Sequence, residues 1–295
     1  MRIGVIGDVH LVWNDRDVAL LDAQNYDLIL FVGDLAGYGP KGAIRVARSI
    51  AKLRTPALVV PGNHDCATVP QFAAEVFRAP NAVRDALAFG MRLRVGQLRR
   101  ALGPARLGGY DLHRFDPFGV TVLCARPHSI GGERLAFRRY LAKRFGVRTM
   151  DESAAKLCAL IDEIPADQRI FVLGHCGPRG LGGTRSDIYG NDFRHEEGDW
   201  GDPDLERALA HARETRKSVI AVIAGHMHHR LRGGGERRWH VQRDGIEHIN
   251  AARVPRARRH VSDKQRHHVR LSLDGSVLSV DAVWLTEPCH SHDGK

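Results

Sequence analysis

Five short segments of this 295-residue chain repeat one arrangement, glycine followed by a residue type that binds metals. They are Gly7-Asp8-Val9-His10, Gly33-Asp34, Gly62-Asn63-His64-Asp65, Gly174-His175 and Gly225-His226-Met227-His228. Four of them close a run of apolar, often β-branched residues, and in the third Val59-Val60-Pro61 leads into the glycine. Apolar runs of this length without alternation read as strands buried on both faces. In an α/β sheet the C-terminal ends of the strands converge on one crevice, so residues far apart in sequence are delivered to one place. Glycine before each of them removes a Cβ where backbone must approach closely and lets the chain turn sharply off the strand. Asp8, His10, Asp34, Asn63, His175, His226 and His228 together offer two carboxylates, one amide oxygen and four imidazoles. That exceeds the four ligands of an ordinary zinc site and suits two ions sharing a bridging carboxylate. Asp-x-His, Gly-Asp and Gly-His are each commonplace, Gly-Asn-His-Asp is rarer and Gly-His-x-His after an apolar strand rarer still; five in order, all at strand ends, leave little room for chance.

The ordered set Asp8-x-His10, Gly33-Asp34, Gly62-Asn63-His64-Asp65, Gly174-His175 and Gly225-His226-x-His228 resembles the calcineurin-like metallophosphoesterase superfamily. The resemblance implies a four-layer α/β/β/α sandwich of two mixed β-sheets, forming one domain over residues 1–295, with residues 230–295 as C-terminal β segments of the second sheet. It implies two divalent metal ions, manganese ahead of iron, zinc or magnesium. Asp8, His10, Asp34 and His228 would hold the first ion, and Asp34 would bridge to a second completed by Asn63, His175 and His226. A hydroxide bridging the ions would attack a phosphate mono- or diester in line. His64 would donate to a phosphoryl oxygen or protonate the leaving group, and Asp65 would orient it through the other ring nitrogen. The Asp-Arg-Gly that follows the bridging Asp in the protein Ser/Thr phosphatases is absent, since this chain reads Gly33-Asp34-Leu35-Ala36-Gly37-Tyr38. Tyr38 also stands one place late for the iron-ligating Tyr of purple acid phosphatases. Stretches 177–182, 198–204 and 250–256 resemble a narrower, largely uncharacterised cyanobacterial and plant group.

Between the early strand runs (Arg2 to Gly7, Asp27 to Gly33, Ala57 to Val60) lie helical patterns at Asp15 to Gln24, Pro40 to Arg54 and Val69 to Arg78. That alternation predicts a largely parallel sheet covered by helices. Further strands are expected at Val120 to Ala125, Arg169 to Gly174 and Ser218 to Gly225, and helices at Asp151 to Ile164 and Pro203 to Glu214. After Gly225 the chain reads as β, with a hairpin turn at Leu273-Asp274-Gly275-Ser276. Residues 81–150 carry many arginines and no readable period. Residues 177–201, rich in Gly and Asp, read as a long active-site loop. The loop is expected to be mobile, and Arg253 to contact the non-reacting part of the substrate or to pair with Asp187, Asp192, Glu196, Glu197 or Asp199.

Lys and Arg outnumber Asp and Glu by 44 to 34, a net charge of +10. Such a surplus favours polyanionic or phosphorylated partners or is simply a solvated basic surface; with the family resemblance it implies a phosphorylated small-molecule or nucleotide-like substrate. A nuclease is the alternative, suggested by the arginines between Arg253 and Arg270, but aromatic residues are only 6% and none interleaves with those arginines as a base-stacking platform requires. A non-catalytic scaffold would have lost ligands, and none is lost. The five cysteines, Cys66, Cys124, Cys158, Cys176 and Cys289, show no paired spacing. With no run long enough to span a membrane and a strand starting at Arg2, the expectation is a cytoplasmic protein.

Overall fold

The computed structural model describes residues 1–37, 39–260 and 263–287; Tyr38 and Cys289, both weighed above, lie outside the described residues. The early apolar runs become β1 (Arg2–Ile6), β2 (Leu28–Phe31) and β3 (Ala57–Val59), parallel and adjacent, with β4 (Arg106–Leu107) beyond β3. α1 (Asp15–Asp22) and α2 (Pro40–Ile50) connect them. Asn14 caps α1 in a reciprocal capping box with Asp17, and Pro40 opens α2, where its missing N–H costs nothing. The second sheet runs β5 (Asp111–Phe115), β6 (Val120–Cys124), β7 (Arg169–Leu173), β8 (Ser218–Ala224), β10 (Ile246–Asn250), β9 (His240–Arg243), the four inner strands parallel and the two outer ones antiparallel.

Of the C-terminal β segments, β9 and β10 complete the second sheet as expected, but the remainder do not. β11 (Ala257–His260), β12 (Asp263–Asp274) and β13 (Val277–Thr286) join the first sheet, with β12 antiparallel to β1. The reason lies in β1: it is buried on both faces, and without β12 its second edge would present unpaired backbone groups.

Side chains alternate between two interiors. Ile3, Val5, Leu28, Leu30 and Leu58 of the first sheet face Val120, Val122, Phe171, Leu173, Ala221 and Ile223 of the second, making a dry layer between the sheets. The outward residues of the same strands, such as Ile29, Phe31, Ile170 and Val172, pack under helices: α2 and α5 (Met91–Ala101) on one side, α7 (Met150–Asp162) and α8 (Pro203–Glu214) on the other. The architecture is therefore two mixed sheets with helices outside. The unread middle holds α4 (Asn81–Leu87), α5 and α6 (Arg138–Phe145), after α3 (Val69–Val76). Among the described residues no helix is long and apolar enough to cross a membrane.

Candidate metal centre

Asp8 and His10 leave β1, Asp34 leaves β2, Asn63, His64 and Asp65 follow β3, His175 leaves β7, and His226 and His228 leave β8. The two sheets thus aim five strand ends at one edge. Ligand-type atoms of Asp8, His10 and His228 lie within 4.8 Å of one another, and those of Asp34, His175 and His226 form a second such group. The turns that deliver them are strained or sterically tight. His10, Asp34 and His226 have φ of +42°, +48° and +66°, left-handed values that non-glycine residues seldom adopt and that collect at functional sites. Gly33 has φ +98°, and a Cβ on Gly62 would sit 2.7 Å from the His175 ring, so these two positions admit glycine alone.

The polar atoms at this edge crowd one another. His10 donates its Nδ1 proton to the Ala36 carbonyl at 3.2 Å, which leaves Nε2 a lone pair, and that lone pair faces His228 Nε2 at 3.0 Å. His228 Nε2 in turn lies 3.3 Å from Asp8 Oδ2. In the second group His175 donates Nδ1 to the Val32 carbonyl at 2.6 Å and directs Nε2 at Asn63 Oδ1, 2.7 Å away, and at Asp34 Oδ2, 3.5 Å away. Carboxylate, amide and imidazole atoms crowded this closely call for positive charge among them, carried by protonated rings or by bound cations. The titration behaviour carries the same demand. Burial opposes a charge on His175, yet the Asp34 and Asp8 carboxylates beside it push its pKa up to about 10. Asp8 and Asp34 are resisted by burial but drawn down by the neighbouring imidazoles, Asp8 to about 2 and Asp34 well below the carboxylate range. His226, buried and next to His175, falls to about 3. The donor set of oxygens and imidazoles, with each fixed tautomer pointing a lone pair inward, fits divalent cations.

His64 sits beside this cluster. Its N–H donates to Asp34 Oδ1 at 2.9 Å, its ring lies over Phe72 with centroids 4.4 Å apart, and Nε2 is 4.0 Å from Asp34 Oδ2. Burial lowers its pKa, against the pull of Asp34. Asp65, expected to orient His64, also binds backbone. Its Oδ2 accepts the Gly62 N–H at 2.7 Å and its Oδ1 the Ala36 N–H at 3.1 Å, tying the turn after β3 to the turn after β2. A carboxylate with two backbone donors in reach is satisfied there. His128, unremarked in the sequence because no glycine precedes it, is fully buried and donates Nδ1 to the Gly62 carbonyl at 2.8 Å, bracing the same turn.

A cavity of about 740 Å³ opens beside Asn63 and His226. Residues 191, 193–194 and 196–200 of the expected active-site loop line it. Arg78, Arg134, Arg194 and Arg232 line it too, with Arg194 4.4 Å above the Trp200 ring and Arg232 5.7 Å above Phe193. Sequence reasoning missed these arginines as a group; the basic bias of the unread middle was a signal for Arg134 alone. Arg253 is not among the residues lining the cavity. Its N–H returns to the Ala251 carbonyl at 2.8 Å, the chain heads for β11, and the guanidinium pairs with Glu236 at 3.2 Å and lies 5.4 Å from the Trp284 ring centre, away from the acidic-loop partners expected for it.

The family model described as calcineurin-like phosphoesterase matches residues 1–230. No curated protein matches the sequence. Among solved structures, one aligns over 95% of this chain and 98% of its own with a TM-score of 0.54 at 11% identity, a likeness of fold. TT1561 of Thermus thermophilus aligns over 95% of this chain and 97% of its own (TM-score 0.47, 13% identity). A metallophosphoesterase from Sphaerobacter thermophilus covers 96% of this chain and 88% of its own (TM-score 0.33, 17% identity).

Proposed function

The chain belongs to the calcineurin-like phosphoesterases, hydrolases of phosphoric esters, and from that premise we propose that it cleaves a phosphate mono- or diester at the edge where its two sheets meet. Asp8, His10, Asp34 and His228 hold one divalent cation, and Asp34, Asn63, His175 and His226 a second, manganese being the first choice ahead of iron, zinc or magnesium. The observation that carries this reading is the convergence of ligand-type atoms in two groups, Asp8, His10 and His228 in one and Asp34, His175 and His226 in the other, those of each group within 4.8 Å of one another. Bound there, the cations supply Lewis acidity toward the phosphoryl oxygens and a hydroxide at neutral pH.

The chain's own residues do the rest. Asp34, held ionised, keeps the two groups in register, while Asp65 and His128 hold the turns that present Asp34 and Asn63. His64, fixed by its backbone bond to Asp34 and by Phe72, hands a proton to the departing oxygen. Arg78, Arg134, Arg194 and Arg232 take over the role first expected of Arg253, binding the non-reacting part of the substrate bidentately where it carries a second anionic group. Phe77, Phe193 and Trp200 on the same wall favour a substrate with a planar, nucleotide-like portion. The setting assigned is the cytosol, in keeping with free thiols at Cys66, Cys124, Cys158 and Cys176.

The test is metal content together with turnover. Protein loaded with Mn²⁺ should hold about two ions, falling to one or none in Asp34→Ala because one carboxylate serves both. Mono-, di- and cyclic phosphoesters offered with Mn²⁺, Fe²⁺, Zn²⁺ and Mg²⁺ identify the preferred bond and metal. Full loading of Asp34→Ala overturns the shared-ligand assignment, and no turnover of any ester by the loaded protein overturns the reaction.

A further inference from the structure

Exposed apolar side chains are concentrated on one face. Of the nine large hydrophobic residues exposed among the described residues, six (Val69, Val76, Phe77, Val83, Phe89 and Leu93) fall within residues 69–93, Phe77 being 82%, Phe89 81% and Leu93 61% accessible. They stand on α3, α4 and α5 and the turns between them. Arg84 of α4 pairs with Glu75 of α3 at 3.0 Å, and Arg94 of α5 donates to the carbonyls of Cys66 and Phe89 and to Gln71 Oε1, so the three helices form one surface. α4 buries none of its residues, and seven residues are too few for a helix to stand on its own propensity. α5 turns Met91, Val95 and Leu98 inward, a spacing of four and then three, which puts Leu93 and Arg100 together on the opposite side.

The charge on this face has one sign. Residues 69–100 contain six arginines and two carboxylates. Both carboxylates are engaged, Glu75 by Arg84 at 3.0 Å and Asp85 by Arg138 at 3.3 Å. Arg78, Arg92, Arg99 and Arg100 are exposed around the apolar residues. Contiguous exposed apolar surface marks an interaction site. A second copy of the chain would set arginine against arginine, and a purely polyanionic partner leaves the phenylalanines in water. A bilayer with anionic lipids satisfies both, taking phenylalanine and leucine below the headgroups and guanidinium groups at the phosphates.

We propose that the α3–α5 face docks the protein on an anionic lipid surface. Val76, Phe77 and Arg78 belong to both this face and the wall of the catalytic cavity, so docking holds the cavity mouth at headgroup level. That consequence rests on the phosphoesterase reading; the docking does not.

The test is flotation of the full chain with phosphatidylcholine vesicles with and without phosphatidylglycerol, at low and high salt. Binding is expected only with phosphatidylglycerol and weaker in salt. Phe89→Ser with Leu93→Ser should lower it by about tenfold or more. Both residues are exposed and outside the cavity, so melting temperature and hydrolysis of a soluble chromogenic ester should not change. Arg99→Gln with Arg100→Gln should weaken binding and reduce its salt dependence. Three results overturn the proposal: no binding to phosphatidylglycerol vesicles, binding that the Phe89/Leu93 pair does not weaken, or a change of oligomeric state in that pair, which would make the face a contact between copies.

Discussion

His64 is the residue whose role the geometry separates most cleanly from its neighbours'. It follows Asn63 directly and its backbone binds Asp34 at 2.9 Å, yet its ring packs on Phe72 and belongs to neither group of converging ligand atoms. His64→Ala should therefore leave metal content unchanged and lower kcat by about 10² to 10⁴, the usual contribution of a positioned acid. Elemental analysis beside steady-state kinetics decides it; lost metal would make the ring a ligand instead. The seven candidate ligand positions stand out in the sequence because each sits one to three residues after a glycine that ends an apolar run, a local pattern the fold has to honour. The Asp65 bonds to the Gly62 and Ala36 N–H groups were not legible, because nothing in Gly62-Asn63-His64-Asp65 tells that the turn after β2 lies at hand. Arg78, Arg134, Arg194 and Arg232 were not legible at all. They come from four separate segments and meet only through tertiary packing, so no window of sequence holds a pattern for them.

The loop at 177–201 shows how an element without period can still be ordered. Asp199 Oδ2 accepts the N–H groups of Gly180 and Gly182 at 2.6 and 2.9 Å, and Trp200 Nε1 donates to the Ile130 carbonyl at 2.7 Å. Arg237, buried behind it, donates to the carbonyls of Arg185, Asp187 and Gly190 and, through Nε, to that of the candidate ligand His228 at 3.0 Å. The rim expected from composition to be mobile carries these tethers. Arg237→Ala should cost about 3 kcal/mol of stability, since several bonds to one buried cation are lost together, and Arg237→Lys should recover little because an ammonium cannot serve the same fork of carbonyls. Chemical denaturation of the three proteins checks this, and an unchanged midpoint in the alanine variant would show the loop to be held by Asp199 and Trp200 alone. The helices and strands predicted from period and β-branching were found close to their expected ends. α4, α5 and α6 were hidden by arginines on nearly every turn, which blur the apolar stripe, and the sheet joined by β11 to β13 is a choice between two edges that local sequence does not encode.

Among the described histidines, several outside the group at the candidate metal centre are buried in neutral form, and these set much of how stability responds to acid. Burial holds His128 and His248 at about 4, with nearby Arg243 adding to the effect at His248. His267 is lowered to about 2 by burial and by His229 and Arg253, and His268 to about 3 by burial and by Arg256 and Arg270. In the unfolded chain all four titrate near 6.5. Between roughly pH 4.5 and 6 the unfolded state therefore binds four protons at these sites that the folded state does not, and the stability they give, present above about 6.5, is lost as pH falls toward the folded values. One carboxylate outside the metal centre works the other way. Asp202, buried and crowded by Asp204 despite its bond to Arg126 at 2.6 Å, is raised to about 7, so over the same interval it holds a proton in the folded state that it lacks when unfolded. Four less one leaves three protons, a loss of about 4 kcal/mol for each pH unit of acidification in that window. At the centre and beside it, burial lowers His226 and His229 to about 3 and 4 while burial and Asp34 raise Asp65 to about 7, which steepens the slope further in metal-free protein. A domain of ordinary stability has only about 5 to 15 kcal/mol to lose, so metal-free protein should unfold within about two to three units below pH 6.5. Urea titrations at closely spaced pH values measure the slope directly. His248→Asn should reduce it by about 1.4 kcal/mol per pH unit without moving the candidate ligands, and a slope near zero would mean that these rings take up protons in the folded state.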